Sequence, residues 1–188
     1  MSGLSGWNSP VERTLFTLAG ASGARLGELL AIEIDRHISP DFSTLRIVQT
    51  LNNHVKSPCT EREIDLHPSV SKLLAEFVGD RTSGLLFRSR TGNPLKASAI
   101  LRHHLHPALK ELGFLNPHNG ATKAGFYAFR RFRKAHLVEC DGVPAHLQNY
   151  WMGHPDHSML VFYGAVEHDR ALRKYWAERC GVGFDLYT

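Results

Sequence analysis

Apolar residues recur at helical spacing along most of the chain. Ser9 followed by Pro10 is typical of a helix N-terminus and predicts a helix through residue 20. Three leucines at core spacing predict a second helix within residues 24–34. Further helices are predicted over residues 68–79, 96–112, 123–138, 144–151 and 167–181.

Two short segments alternate between apolar and polar positions instead. Residues 44–50 and 62–67 are separated by a polar turn, so they are predicted to pair as antiparallel strands. Residues 84–89 are predicted to form a third short strand. The pattern therefore indicates an α+β fold that is mainly helical, with a small three-stranded antiparallel sheet.

The composition is that of one globular domain. The chain has 188 residues, of which 43% are hydrophobic, which is enough for one substantial core. No run approaches the roughly 20 apolar residues that cross a bilayer, and the N-terminus lacks signal-peptide features. We expect a flexible leader over residues 1–8, a domain over residues 9–188 and a cytoplasmic location. Three cysteines without a CxxC pair argue against a disulfide framework or a thiolate zinc site.

The distribution of charge is more informative than the net charge of +4. Residues 123–138 contain five Lys or Arg and no acid. On a helix, the polar groups Tyr127, Arg130, Arg131 and Lys134 share one face, and Phe126, Phe129, Phe132 and Leu137 occupy most of the other side. A wholly cationic or phenolic face predicts an anionic partner, while the alternative is a solvated face beside a core stripe.

Other candidate residues are weak signals when taken singly. Arg25 begins an otherwise apolar helix directly after a glycine-containing break, and the alternative to a binding role is a salt bridge with Glu28 or Glu33. Lys56 lies in the turn between the two predicted strands, where most lysines are merely solvated. A lone His154 is more often a structural histidine than a catalyst.

Taken together, the order and intervals of these residues resemble a known family. From about Val11 to the C-terminus the sequence is similar to the catalytic domain of the tyrosine recombinases, the phage integrase family. The segment SGARLGELLAI resembles that family's first-arginine motif and places its phosphate-binding arginine at Arg25. The segment VKSPCTEREIDLHP resembles its β-hairpin with a catalytic lysine, here Lys56.

The second half of the resemblance lies near the C-terminus. YAFRRF matches the position of the family's second arginine at Arg130, and MGH matches its Gly-His signature at His154. Nine residues further on, FYG has the family's spacing to its nucleophile, which identifies Tyr163 as the reacting tyrosine rather than a core aromatic. One position departs from the pattern, because Tyr127 stands where most members have histidine.

The resemblance implies an integrase-like, DNA breaking-rejoining fold and a site-specific recombinase that acts through a covalent 3'-phosphotyrosine. It implies double-stranded DNA as partner, a homotetramer on DNA, a monomer without it, and a reaction that uses no metal or other cofactor. We expect a catalytic domain without the family's N-terminal core-binding domain. Supporting phosphate contacts are expected from the cationic side chains Arg131, Lys134, Lys96, Arg102 and Lys110.

Three other functions are weighed against this one. A recombinase-derived domain that binds DNA without cutting it is favoured by Tyr127, since a phenol is a poor proton acceptor at neutral pH. A type IB topoisomerase shares the nucleophile and the arginines. A metalloprotein is suggested by twelve histidines, but His103, His104 and His106 are too close in sequence to share one helix face, and no HExxH motif exists.

Overall fold

The computed structural model describes residues 9–48, 61–113, 125–154 and 166–186. Within these ranges the α-helices are α1 Pro10–Ser22, α2 Leu26–Leu30, α3 Ile34–His37, α4 Pro68–Val78, α5 Ala97–Ile100, α6 His106–Glu111, α7 Tyr127–Glu139, α8 Ala145–Met152 and α9 Arg170–Cys180. A π-helical stretch, Leu101–Leu105, joins α5 to α6. The strands are β1 Thr44–Ile47 and β2 Arg62–Asp65. The prediction of a mainly helical fold with a small antiparallel sheet is confirmed.

A glycine separates the first two helices and places Arg25 at the start of α2. Gly23 has a φ of 66°, and its amide donates to the Ala19 carbonyl at the end of α1. A Cβ at Gly23 would lie 3.0 Å from the Met152 sulfur. Both the backbone conformation and the close packing therefore require glycine at this turn.

The predicted helix over residues 24–34 is interrupted. Its first part is α2 and its end belongs to α3, because the backbone between them pairs with a distant segment. The Leu86 amide donates to the Ile32 carbonyl at 2.8 Å, and the Ile34 amide donates to the Gly84 carbonyl at 2.9 Å. These long-range bonds compete with helix continuation, and helical periodicity does not reveal them.

The sheet in the described residues has two strands rather than three. β1 and β2 are antiparallel, with Thr44 opposite Asp65 and Ile47 opposite Arg62. The predicted third strand, residues 84–89, makes only single bridges, such as that between Leu85 and Glu33. Its backbone is paired with the α2–α3 connection instead of with the hairpin.

The core is built around α1, which packs against α4 and α7. Its residues 14–22 are all buried. Fully buried aliphatic side chains from other elements complete this core, among them Leu29, Leu74, Leu86, Leu137 and Leu147. Helix α8 packs on α7 and β2, and α9 packs on β2. The start of α2, the start of α7 and the end of α8 are thereby brought to one side of the core.

The predicted helix over residues 96–112 contains a change of helical type. The π-helical stretch precedes Pro107, which has no amide hydrogen to donate to the preceding turn. His104 on this stretch contacts the Glu12 carboxylate of α1. The described residues contain no cluster of three or more potential metal ligands. No helix in the described ranges is long and apolar enough to cross a membrane.

Candidate active site

Arg25 caps the N-terminus of α2 and is paired with Glu28. Its Nη1 donates to Glu28 Oε1 at 2.8 Å, and its backbone amide donates to Glu28 Oε2 at 2.8 Å. The salt bridge considered from the sequence therefore exists, with Glu28 and not Glu33 as the partner. The Arg25 side chain is still 47% exposed. Because a guanidinium has five N–H groups, the pair with Glu28 is compatible with an additional anion.

Glu28 also binds a second arginine, Arg62 of β2. Arg62 Nη2 donates to Glu28 Oε2 at 2.9 Å, and Arg62 Nε donates to the Trp151 carbonyl at 2.8 Å. Burial by itself would raise the Glu28 pKa, but the Arg62 charge and the hydrogen bonds from Arg62 and Arg25 outweigh it and lower the pKa. Glu28 is thus an ionised bridge between the two guanidinium groups.

Arg130 projects inward from the first turns of α7 and is only 3% exposed. Its Nη1 donates to the Gly23 carbonyl at 2.9 Å, and its Nη2 donates to the Met152 carbonyl. Burial, and then the positive charges of Arg25 and Arg62, lower the Arg130 pKa to about 10, so the side chain stays cationic at neutral pH. Two carbonyl contacts leave three of its five N–H groups for other acceptors.

His154 follows α8 directly and faces the same group of cations. The helix ends at Gly153 in the left-handed conformation with a φ of 57°, and the His154 amide donates to the Asn149 carbonyl at 3.0 Å. Burial lowers the His154 pKa from 6.5, and the nearby charges lower it further. Those charges belong to Arg130, Lys134, Arg25 and Arg62. The imidazole is therefore neutral at pH 7.

The structure brings Arg25, Arg130 and His154 together at one site. Arg130 holds the Gly23 carbonyl two residues before Arg25, and it holds the Met152 carbonyl two residues before His154. The electrostatic effect of both arginines on the His154 pKa is a second sign of their proximity. Lys56 and Tyr163, the predicted catalytic lysine and nucleophile, lie outside the described residues.

Tyr127 lies on the exposed side of this site. The side chain is 62% exposed, and the Arg131 guanidinium carbon lies 6.0 Å from its ring centroid. Tyr127 lies near Arg130, and its electrostatic effect raises the Arg130 pKa slightly, against the lowering by burial. The phenol is thus accessible and one helical turn before Arg130, as the sequence pattern predicts.

The side chains on the predicted cationic face of α7 differ in exposure. Arg131 is exposed, whereas Lys134 is half-buried and donates to Gln148 at 3.1 Å and Asn149 at 3.4 Å. Burial lowers the Lys134 pKa. The other predicted phosphate contacts, Lys96, Arg102 and Lys110, are all exposed. Helix α5, which Lys96 precedes, packs against α2, the helix that Arg25 begins.

The opposite face of α7 is less apolar than predicted. Phe132 is 40% exposed and stacks on His136, whereas Arg133 is buried among the apolar residues. Arg133 Nη1 donates to the Gly181 carbonyl at 2.8 Å. Burial lowers the Arg133 pKa to about 10. The arginine takes the inward position because it satisfies a chain carbonyl at the end of α9.

Sequence reasoning missed Arg62 as part of this site. A signal was available in the strand pattern, because Arg62 has the same parity as Ile64 and so faces the buried side of β2. What the pattern does not reveal is its partner, Glu28, which is 34 positions away. The pattern also does not reveal how closely Arg62 approaches Gly153, where a Cβ would lie 2.9 Å from Arg62 Nη1.

Comparison with known proteins identifies the family and the fold of this chain. The family model described as the phage integrase family matches residues 7–170. No curated protein matches the sequence significantly. Among solved structures, the integrase from mycobacterium phage Brujita is similar with a TM-score of 0.67 at 17% identity, covering 95% of this chain and 54% of that one.

A second structural relative is the Tn1549 transposon integrase, solved in complex with circular intermediate DNA. Its TM-score is 0.59 at 15% identity, covering 80% of this chain and 54% of that one. The chain thus spans about half the length of these two integrase structures, and at such identities the likeness establishes the fold. Together with the match of the family model over most of the sequence, it shows that the chain belongs to the phage integrase family.

Proposed function

We propose that this chain is the catalytic domain of a site-specific DNA recombinase that cleaves and rejoins strands through a covalent 3'-phosphotyrosine. The observation that carries the proposal is the position of Arg130, a buried cation tied to the carbonyls of Gly23 and Met152 between Arg25 and His154. Such a group of converging positive charges suits a phosphodiester, whose transition state accumulates negative charge on its non-bridging oxygens.

In the proposed reaction the two arginines hold the scissile phosphate. Arg25 and Arg130 each donate to its non-bridging oxygens, a forked geometry that lysine does not reproduce. The low exposure of Arg130 favours this role, since a charge-assisted hydrogen bond is stronger where water is excluded. These positive side chains supply the stabilisation that a metal ion provides in other phosphoryl-transfer enzymes.

Proton transfers in the proposed step involve His154 and Lys56. The phenol of Tyr163 loses its proton to the neutral His154 imidazole as its oxygen attacks phosphorus. The bond from phosphorus to the 5'-oxygen breaks, and that oxygen takes a proton from Lys56. The products are a 3'-phosphotyrosine and a free 5'-hydroxyl. A 5'-hydroxyl from another strand reverses the step and joins new ends.

Tyr127 has a supporting role in this scheme. Its phenol is exposed near Arg130, where it can donate a hydrogen bond to a phosphate oxygen. A neutral phenol is a weak proton acceptor, so the proton from Tyr163 is assigned to His154. The change from the family's usual histidine therefore removes a potential base while it keeps a hydrogen-bond donor.

Double-stranded DNA is the proposed partner, and the assembly on DNA is proposed to be a homotetramer. The solved complex of the Tn1549 transposon integrase with DNA supports DNA as a ligand for this fold. The exposed cations predicted from the sequence supply contacts to the phosphate backbone, which position the duplex without reading its sequence. Those cations are Arg131, Lys96, Arg102 and Lys110.

A second candidate is a domain that binds DNA and does not cleave it, and the observation that favours it is Tyr127. Covalent capture distinguishes the two functions. The chain is incubated with a pool of nicked duplexes of randomised sequence. Cleavage near the nick releases a short fragment that diffuses away. Because its 5'-hydroxyl is lost, the step cannot reverse and the covalent adduct accumulates. The recombinase proposal predicts a covalent adduct in the unsubstituted chain and none in Tyr163→Phe. DNA binding without an adduct in either protein would support the binding domain and overturn the proposal.

Relaxation of supercoiled plasmid provides the control for a type IB topoisomerase. Such an enzyme relaxes plasmids of unrelated sequence, whereas a site-specific recombinase forms its adduct on a selected subset of the randomised pool. Sequencing the trapped DNA therefore separates these two enzymes in the same experiment.

A further inference from the structure

We infer that Arg62 is a positioning residue that fixes the orientation of Arg25 and the location of His154, an inference that rests on the proposed function. Arg62 belongs to β2, apart in sequence from both residues. Its guanidinium nevertheless lies between Glu28, the partner of Arg25, and the end of α8 that leads to His154.

The first contact acts on Arg25 through Glu28. Arg25 is a long side chain that is 47% exposed, and an exposed ion pair alone restrains such a side chain weakly. Glu28 is itself held by Arg62, whose side chain is only 1% exposed, with an N–O distance of 2.9 Å. The carboxylate is therefore fixed from the buried side, and it offers Arg25 a stationary acceptor.

The second contact acts on the turn before His154. Arg62 Nε donates to the Trp151 carbonyl at 2.8 Å. The same guanidinium packs against Gly153, where an added Cβ would lie 2.9 Å from Nη1 and 3.1 Å from Cζ. The Arg62 guanidinium thus contacts Trp151 and Gly153 in the turn before His154. Arg130 binds the carbonyl of Met152, the residue between them.

Burial separates the role of Arg62 from that of the catalytic arginines. All three nitrogens of the Arg62 guanidinium are bonded within the protein, Nε to the Trp151 carbonyl and both Nη atoms to the Glu28 carboxylate, so Arg62 is not available to a DNA phosphate. Its charge nevertheless reaches the site, because it contributes to the lowering of the Arg130 and His154 pKa values. Arg62 therefore acts through its neighbours.

The test uses Arg62→Lys, which keeps the charge but replaces the planar fork by one ammonium group. Rates of covalent adduct formation are compared on two DNA substrates, one with a normal phosphodiester at the cleavage site and one with a methylphosphonate there. The methylphosphonate lacks the anionic non-bridging oxygen that Arg25 is proposed to neutralise. A defect in the orientation of Arg25 consequently matters less on the neutral substrate.

On the phosphodiester, Arg62→Lys is expected to lower the adduct rate on the order of 10- to 100-fold, the usual effect of losing a supporting partner. The loss on the methylphosphonate is expected to be several-fold smaller, and Glu28→Gln should give the same pattern. Arg133→Lys is the matched control, because it alters a buried arginine bound to the Gly181 carbonyl. Its effect should be equal on both substrates. An equal loss on both substrates in Arg62→Lys would overturn the assignment of Arg62 as the residue that orients Arg25.

A second measurement does not depend on cleavage. Arginine Nε signals are recorded by ¹H–¹⁵N NMR, with the Arg25 signal assigned from its loss in Arg25→Lys. The inference predicts that Arg62→Lys shifts or broadens the Arg25 signal while the fold is retained. An unchanged Arg25 signal would overturn it. Absence of an adduct in the unsubstituted chain would instead contradict the proposed function, and the NMR result would still decide the role of Arg62.

Discussion

Arg62 and Arg130 come from different elements but bind consecutive carbonyls at the end of α8. Arg62 Nε donates to the Trp151 carbonyl at 2.8 Å, and Arg130 Nη2 donates to the Met152 carbonyl. The last carbonyls of a helix have no partner within the helix, so two guanidiniums satisfy groups that otherwise require water. The end of α8 is thereby fixed by the same cations that surround the candidate phosphate site.

Replacing Arg130 with alanine is expected to damage both stability and catalysis. The buried carbonyls of Gly23 and Met152 lose their donor, at a cost of about 1–3 kcal/mol for each group left unsatisfied. Loss of the phosphate contact should reduce the adduct rate on the order of 10²- to 10³-fold. Urea unfolding and covalent capture measure the two effects.

The matched control is Arg131→Ala, the next residue on the exposed side of α7. It should change the unfolding free energy by less than about 0.5 kcal/mol, as is usual for surface positions. If Arg130→Ala unfolded at the same urea concentration as Arg131→Ala, the buried contacts assigned to Arg130 would be wrong.

The local motifs of the site could be predicted from the sequence, whereas their supports could not. Arg25, Arg130 and His154 each occur in a short segment whose order and interval are recognisable, and the structure brings all three together. Glu28 was identified only as a possible partner of Arg25. Its second partner, Arg62, depends on packing between residues far apart in the chain, which no local periodicity encodes.

The same distinction holds for the fold. Residues 10–20 were predicted correctly because their apolar spacing and N-terminal proline act locally. The break after α2 was missed because the Ile32 carbonyl pairs with Leu86, a tertiary hydrogen bond. The sequence pattern assigns Arg133 to neither face, and its burial depends on the Gly181 carbonyl at the end of α9, 48 residues further along the chain.

Protonation of His154 is expected to destabilise the folded chain. Burial and neighbouring cations lower its pKa in the folded state from 6.5, so the unfolded chain binds a proton at a higher pH than the folded chain does. Stability therefore rises with pH through this region and falls as the pH is lowered below about 6.5. His154→Gln should weaken that dependence. His37, whose pKa is also lowered by burial, contributes in the same direction and provides a comparison in His37→Gln.

Unfolding free energies between pH 7.5 and pH 5, approximately the range in which histidine titrates, measure this effect. The slope in His154→Gln should be smaller than in the unsubstituted chain at the same ionic strength. An identical slope in both proteins would show that His154 has an ordinary pKa and is not surrounded by cations.

The ion pair between Arg173 and Asp65 is expected to stabilise the attachment of α9 to β2. Arg173 Nε donates to Asp65 Oδ2 at 2.8 Å, and Trp151 Nε1 donates to the same oxygen at 3.1 Å. Burial raises the Asp65 pKa, although Arg173 and Trp151 oppose that change. Arg173→Met leaves a buried carboxylate without its cation and should cost about 3–5 kcal/mol.

Arg170→Met is the control on the same helix. Arg170 is exposed and lies 3.6 Å from the exposed Asp41 carboxylate, so its removal should cost less than about 1 kcal/mol. Thermal and urea unfolding of the two variants give the comparison. Equal stabilities would refute the assignment of Arg173 as the buried anchor of α9.

The exposed cations Arg131 and Lys96 are expected to contribute to DNA affinity through phosphate contacts. Arg131→Gln and Lys96→Gln should each weaken binding to unrelated duplex sequences alike, and each should reduce the slope of log affinity against log salt by about 1. Lys174→Gln is the control, because the Lys174 charge is already paired with the Asp41 carboxylate at 3.1 Å. Fluorescence anisotropy over a range of salt concentrations measures the slopes. A slope reduced equally by Lys174→Gln would place the DNA elsewhere.

Arg25 and Arg130 are proposed to bind one phosphate beside His154. The most direct test is a crystal of the chain soaked in tungstate, a tetrahedral oxyanion whose metal is located by anomalous scattering. One anomalous peak is expected, at the position of the tungsten atom. The tungstate oxygens should lie within about 3 Å of N–H groups from both guanidiniums. Tungstate bound elsewhere, with the two guanidiniums facing different walls of the molecule, would contradict it.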